Sequence, residues 1–425
     1  MKLIIISLLL PVIFSIPIVA NQEKDSSRAM PVLSFSGYIK SDFIFDSRQN
    51  FSIRENMLLL YPKPRVTDAS GSDINDVNNI QFIPFQTRIT AGFSGTELLN
   101  ARASGMIEGE FFGSTDMDVN GFRLRHAIIN LQWQSGFSLM MGQFWHPLFI
   151  TDCFPGTASM NTGIPFNPFA RSPQLELTYR TDNFRFSAAA VSQIDFKSNG
   201  PAGATAQYLR NSGLPEFTGK IYFFTNSREF LIGAASAHKA LRPRLEDNSG
   251  NKVEERIGSS VIMGFSKFQK KDLKIKAAAL IGQDLFHLTM LGGYAIRFDK
   301  SYSGENLFDR GLFYTPVTTF SYWGEFVKGE IWEFGIFGGY SRNLGACDEV
   351  GIPGQSPVLY SRGSDINNLY RISPRISYNI KNLSLGLETE YTRASYAKSI
   401  DNKARPHGND CVSNMRLLLF AFYYF

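Results

Sequence analysis

From residue 33 onward the chain alternates. One face reads Leu33, Phe35, Gly37, Ile39, Phe43 and Phe45, and the other reads Ser34, Ser36, Tyr38, Lys40, Asp42 and Asp46. A period of two sustained in this way predicts a strand with unlike faces. The pattern returns at Thr87, Ile89, Ala91 and Phe93 against Gln86, Arg88, Thr90 and Ser94, and at Ala101, Ala103, Ile107 and Phe111 against Arg102, Ser104, Glu108 and Glu110. Near the other end, Tyr370, Ile372, Ile376, Tyr378 and Ile380 alternate with Arg371, Ser373, Arg375, Ser377 and Asn379, and Leu383, Leu385, Leu387 and Tyr391 with Ser384, Gly386, Glu388 and Glu390. A soluble sandwich alternates too, but it does not usually set rings of Arg and Glu on its inner face, where unpaired charge is costly. Apolar outside and polar inside is the arrangement of a transmembrane antiparallel β-barrel.

The connections count the strands. Tight turns fall at 95–100, 134–136, 181–183, 226–227, 270–271, 328–329 and 381–382. Longer polar or Gly/Pro-bearing loops fall between them, at 47–78, 114–120, 146–171, 195–212, 242–250, 290–309, 345–365 and 398–410. Short turns on one side and long loops on the other are the habit of outer-membrane barrels. Seven turns and eight loops join about sixteen strands in an all-β chain, with both termini on the periplasmic side. The last strand runs from Val412 and closes on Tyr423, Tyr424 and a terminal Phe425. Its aromatics are expected in the periplasmic interfacial girdle.

Composition narrows the class further. With 37 Phe, 17 Tyr and only 19% charged residues, against about 25% charged in ordinary soluble domains, the chain is neither disordered nor a charged tail. Its mean hydropathy of -0.12 and the lack of a long apolar run after the first twenty residues exclude a multi-spanning helical protein. The net charge of +5 comes from 43 basic and 38 acidic residues without blocks of one sign, so nucleic acid is not an expected partner. Lys2, the apolar run that follows and Ala20 read as a signal peptide over 1–20 cleaved at Ala20. A periplasmic N-terminal segment over 21–31 and the barrel over 32–425 follow. Cys153, Cys347 and Cys411 have no metal-type spacing, and a Cys347–Cys411 bridge is left open. The histidines stand in no G-x-S-x-G or H-E-x-x-H context, so neither an enzyme nor a cofactor or metal is expected.

Two patches are more specific: Phe122-Arg123-Leu124-Arg125-His126-Ala127 with Gly142-Gln143-Phe144-Trp145-His146-Pro147, and Phe154-Pro155-Gly156-Thr157 with Asn161-Thr162-Gly163 and the run from Pro165 to Gln174. With Tyr208-Leu209-Arg210-Asn211-Ser212-Gly213 they resemble the porin-like outer-membrane proteins of Gram-negative, Bacteroidota-type bacteria. The resemblance implies a sixteen-stranded barrel in the outer-membrane lipid bilayer, a homotrimer, passing small hydrophilic solutes or ions by passive diffusion. It also implies that Phe425, with Tyr423, serves as the signal read by the barrel assembly machinery, and that the third loop, 146–171, folds inward and narrows the barrel. Asp152, Asn161, Asn167 and Arg171 are its candidates for the constriction, and His146 reads as a hydrogen-bonded anchor.

If the apolar phase faces lipid, the lumen receives Lys40, Arg88, Arg102, Arg180, Arg185, Lys220, Arg371, Arg375 and Arg416 against Asp42, Glu108, Glu110, Glu176, Glu325, Glu333, Glu388 and Glu390. Arg123 and Arg125 break the rule, because they share a phase with Ala127, Ile129 and Leu131. A bulge near His126 or a subunit contact would keep them off the acyl chains, where each costs ~2–4 kcal/mol at the midplane. Placed in the lumen, they tilt the balance to a weak anion preference. Arg375 is expected to pair with Glu388 across the 381–382 turn. The runner-up reading is a surface adhesin or structural barrel that binds an extracellular ligand through its long loops.

Overall fold

The computed structural model describes residues 32–84, 86–298, 312–351 and 357–425; the leader, Ala20 and 21–31 lie outside the described residues, as do parts of the 290–309 and 345–365 loops. Sixteen long antiparallel strands form the wall. In chain order they are β1 (Val32–Asp46), β2 (Arg88–Leu98), β3 (Ala101–Phe111), β4 (Phe122–Gln132), β5 (Phe137–Trp145), β6 (Arg171–Arg180), β7 (Phe184–Val191) and β8 (Glu216–Phe224). Then come β9 (Phe230–Leu241), β10 (Ile257–Lys270), β11 (Leu273–Gln283), β12 (Leu312–Gly329), β13 (Trp332–Ala346), β14 (Ile366–Ile380), β15 (Leu383–Tyr396) and β16 (Asp410–Tyr424). Each pairs with its chain neighbours, and β1 pairs with β16 from Tyr38↔Tyr424 to Asp46↔Arg416, so the sheet closes on itself. Among the described residues the wall therefore has no free edge strand, the condition for a strand protein in lipid.

The predicted turns recur with small shifts. Leu99 and Asn100, both at positive φ, make the first turn, while Gly95 marks a register shift inside β2. Gly136 sits at φ 90°, and a Cβ there would stand 2.5 Å from the Arg180 carbonyl oxygen. Phe425 completes the closure: its amide and carbonyl exchange hydrogen bonds with Gly37. A Cβ on Gly37 would meet the Phe425 ring at 2.7 Å.

Alternation puts large apolar side chains on the outer surface, including Phe35, Phe82, Ile262 and Leu419, each more than half exposed. A continuous apolar exterior of this kind has no place in water. Beside the turns, Phe137 packs against Tyr179 with tilted rings and centroids 4.7 Å apart, Trp332 against Tyr378 at 4.8 Å, and Phe184 against Phe223 at 5.3 Å. Those aromatics, with Tyr423 and Phe425, ring the turn end of the barrel as an interfacial girdle.

The bulge near His126 is present. Glu108 pairs with His126 and Gly109 with Leu124, so Arg125 is the extra residue on β4. One added residue reverses the phase of the strand. Arg123 and Arg125 therefore face inward together with the outward Ile129 and Leu131. The Cys347–Cys411 bridge does not form: all three thiols are free.

Candidate pore constriction

The third loop, L3 (146–170), crosses the lumen rather than covering it. Its backbone is held by the far wall. Glu325 on β12 accepts the Gly156 N–H at 2.8 Å, and Glu388 on β15 accepts those of Ala158 and Ser159 at 2.7 and 3.0 Å. Lys40 on β1 donates to the Ala158 carbonyl at 2.7 Å, Lys276 on β11 to Phe154 at 2.9 Å, and Arg371 on β14 to Ile164 at 2.8 Å. Buried Leu148, Ile150, Phe166 and Phe169 fill the space beneath. The Cys153 thiol is pushed up to about 11 by burial.

The first loop enters as well, which the sequence reading did not foresee. Its hairpin, Asn50–Ile53 with Leu58–Pro62, buries Leu58, Leu59, Leu60 and Tyr61. Arg371 donates to the carbonyls of Leu59 and Leu60 at 3.0 and 3.1 Å. Arg416 holds Asp46 through two hydrogen bonds of 2.9 and 2.7 Å and reaches the Asn56 carbonyl at 3.0 Å. The apolar run Met57-Leu58-Leu59-Leu60 inside a nominally polar loop was the available signal.

This wall is therefore a mounting surface. Lys40, Lys274, Lys276, Arg371, Arg375 and Arg416 face Asp42, Asp46, Glu325, Glu333, Glu388 and Glu390, six cations to six carboxylates. Asn161 and Asn167 belong to it: Asn161 bonds to Glu390, and Asn167 accepts the Trp323 indole N–H at 3.1 Å. Arg375 lies opposite Glu388 in register, as the turn implied, but the two do not pair. The L3 amides take Glu388, and Arg375 turns to Glu325 at 2.9 Å.

The opposite wall, β2 to β4, is built differently. Glu110, fully buried, meets Arg123 at 2.7 Å, Arg125 at 3.0 Å, Arg88 at 3.1 Å and Arg171 at 3.9 Å. Glu108 meets Arg125 at 2.5 Å and His126 at 3.1 Å. Asp195, from the fourth loop, L4 (192–215), meets Arg123 at 2.9 Å, Arg54 at 3.1 Å and Arg171 at 3.7 Å. Five guanidinium groups thus share three carboxylates. The surplus is accommodated by aromatic faces: Arg123 lies over Phe112, Arg125 over Trp145, and Arg171 over Trp145, Phe169 and Phe196 at 5.3–5.7 Å. The terminal nitrogens of Arg171 have no hydrogen-bond partner among the described residues.

The remaining sequence candidates are dispersed. Asp152 pairs with Arg185 and, with Glu176, Arg180 and Lys220, lines a cavity of about 250 Å³ between L3 and β5 to β8. Arg102 stands exposed at the turn end of β3, outside both charged walls. Arg54 and Asp195 were not foreseen, since both lie on loops where no phase assigns a side.

No family model matches the sequence, and no curated protein matches it. Solved structures do share its fold. The outer-membrane channel DcaP of Acinetobacter baumannii superposes with a TM-score of 0.67 at 15% identity, covering 93% of this chain and 97% of that one. The anion-selective porin of Comamonas acidovorans gives 0.53 at 10% identity over 93% and 100%. OmpT of Vibrio cholerae, in a structure described as its trimer form, gives 0.51 at 9% over 93% and 100%.

Proposed function

We propose that this chain is an outer-membrane porin, a water-filled pore that passes small hydrophilic solutes passively and favours anions. The observation that carries the reading is the asymmetry of the lumen: a closed barrel with an apolar exterior, a loop fastened to one charge-balanced wall, and a guanidinium surplus on the wall it faces. Fixed cations in a low-dielectric cleft raise the local concentration of anions and repel cations. Because these side chains are already held by Glu108, Glu110 and Asp195, they need not reorganise when a solute arrives. The named pore-lining residues are Arg88, Arg123, Arg125, Arg171 and Arg54, continued by Arg185 and Lys220.

The remaining parts of the reading follow the same line. The chain works as a homotrimer in the outer membrane of a Gram-negative bacterium, delivered by the 1–20 leader and inserted by the barrel assembly machinery through Tyr423 and Phe425. The narrower Bacteroidota-type kinship rests on the sequence patches around Phe122 and Pro165; the structural neighbours above come from other genera. Purified, folded protein in a planar bilayer should open stepwise channels, and a salt gradient should give a reversal potential of anion sign. A folded sample that forms no channels sinks the proposal and leaves the adhesin reading.

A further inference from the structure

His146 opens L3, Glu216 opens β8, and His287 lies in the 3-10 turn Phe286–Leu288 of the sixth loop, L6 (284–311). Spacings of about 70 residues hid the group from any motif. Its side chains are 0–2% exposed, and its candidate ligand atoms all lie within 4.8 Å of one another. His146 Nε2 is 3.3 Å from Glu216 Oε1, and His287 Nε2 is 3.2 Å from Oε2. Those separations are within hydrogen-bond range, yet neither Nε2, nor Oε2, makes a hydrogen bond. Buried polar atoms left orphaned around one point call for an occupant. A tetrahedral ion with bonds of about 2.0–2.1 Å holds neighbouring ligand atoms roughly 3.3 Å apart, and each imidazole Nε2 stands about that far from one carboxylate oxygen, His146 from Oε1 and His287 from Oε2.

We infer that His146, Glu216 and His287 bind one divalent transition-metal ion of the zinc class. Two imidazoles and a carboxylate suit zinc, copper or nickel, whereas calcium and magnesium are hard ions that demand oxygen. Three protein ligands leave a fourth position for water. His146 borders the lumen cavity, which supplies the entry path. The ion staples the first residue of L3 to L6 and to the wall, and so stiffens the segment that narrows the lumen.

The surroundings of the imidazoles tune this site. His287 Nδ1 is 2.6 Å from Lys239 Nζ, which also meets Asp284 at 3.1 Å, and His146 Nδ1 accepts the Leu148 N–H at 3.2 Å. A metal-bound imidazole normally donates its other N–H to an acceptor. Here each faces a donor, so metal binding must reverse the tautomer and is weakened by that exchange. Lys239→Gln, which offers a carbonyl, should tighten binding by about tenfold.

The test uses the full-length barrel folded in detergent, stripped with EDTA and titrated with zinc chloride by calorimetry. The expected result is one chelator-reversible zinc per chain, a raised thermal midpoint, and the intense visible absorption of four-coordinate cobalt when cobalt replaces zinc. Glu216→Gln and His287→Gln should each lose about tenfold or more in affinity, while His238→Gln and His407→Gln, on other surfaces, change nothing. X-ray absorption of the zinc-loaded wild type should resolve two imidazoles, which decides the matter even where a variant does not fold. Absence of saturable binding, binding unaltered in folded His287→Gln, or an edge spectrum without imidazole overturns the proposal. Channel formation is read separately, so a porin without the ion and an ion site in a non-conducting barrel are distinguishable outcomes.

Discussion

The wall of β11 to β16 with β1 and the wall of β2 to β4 both turn arginines and carboxylates inward. On the first, six cations meet six carboxylates, and the leftover hydrogen-bonding capacity goes to the backbones of L3 and the first-loop hairpin. On the second, five cations meet three carboxylates, and the excess rests on aromatic faces. The difference teaches that an inward charge is not automatically a pore charge. A charge whose partners are all satisfied by a loop exerts little net field, and one in surplus keeps its own.

The largest test sets one wall against the other for stability. Removing one member of a buried ion pair strands its partner at a cost of about 3–5 kcal/mol. Arg416→Ala, which strands Asp46, should lower the unfolding midpoint in denaturant accordingly. Arg171→Ala removes a cation that repels its neighbours and should cost less or stabilise. Equal losses at the two sites would erase the distinction.

Selectivity should respond in the opposite order. The double change Arg123→Ala with Arg171→Ala should shift the permeability ratio toward cations by about tenfold, the low end of what a charged cleft does to local ion concentration. Arg371→Ala should leave the reversal potential where it was. A shift at Arg371 as large as that at Arg171 would mean that the mounting wall also filters.

The third test sharpens the role of the balanced wall. Glu388→Gln exchanges two charge-assisted hydrogen bonds to L3 for neutral ones, and bonds to charged groups contribute about 1.5–3 kcal/mol. Open-channel current noise should rise, and L3 should become a protease target, with the barrel itself intact. Unchanged noise would remove Glu388 from the anchoring scheme.

The smallest effect is chemical. Cys347 is exposed, and Cys153, within L3, is buried, its thiol pushed up to about 11 by burial. At pH 8 only about one Cys153 in a thousand carries the reactive thiolate. A water-soluble maleimide should label Cys347 rapidly and Cys153 hardly at all. Raising the pH toward 11 should increase Cys153 labelling, and Glu388→Gln should increase it at constant pH by loosening L3. Equal labelling of the two thiols in the unmodified protein would contradict a fastened loop.

Much of the architecture was legible along the chain because barrel strands obey a local rule. Lipid outside and water inside force a period of two, so the seven turns, the eight loops and the register that sets Arg375 opposite Glu388, though not an ion pair between them, could be read from neighbours in sequence. Even the exception was readable: Arg123 and Arg125 stood in the wrong phase, the cost of arginine in lipid demanded a remedy, and the bulge at Arg125 supplies it. Tyr423 and Phe425 could be placed at the turn-side girdle on the same grounds.

What the tertiary structure alone decided is which inward groups are used up. Periodicity says that Glu388, Glu390 and Arg371 point inward, but the backbone amides and carbonyls that capture Glu388 and Arg371, and the Asn161 side-chain amide that captures Glu390, arrive from L3 and the first loop, more than two hundred residues away in sequence. Asp195 and Arg54 join the basic wall from loops, where no phase exists to assign a side. His146, Glu216 and His287 likewise meet only because three loops and strand ends converge. Strand formation and orientation are set by contacts with solvent, which every residue makes for itself. The charge left over in a lumen is set by partners, and partners exist only once the chain has closed.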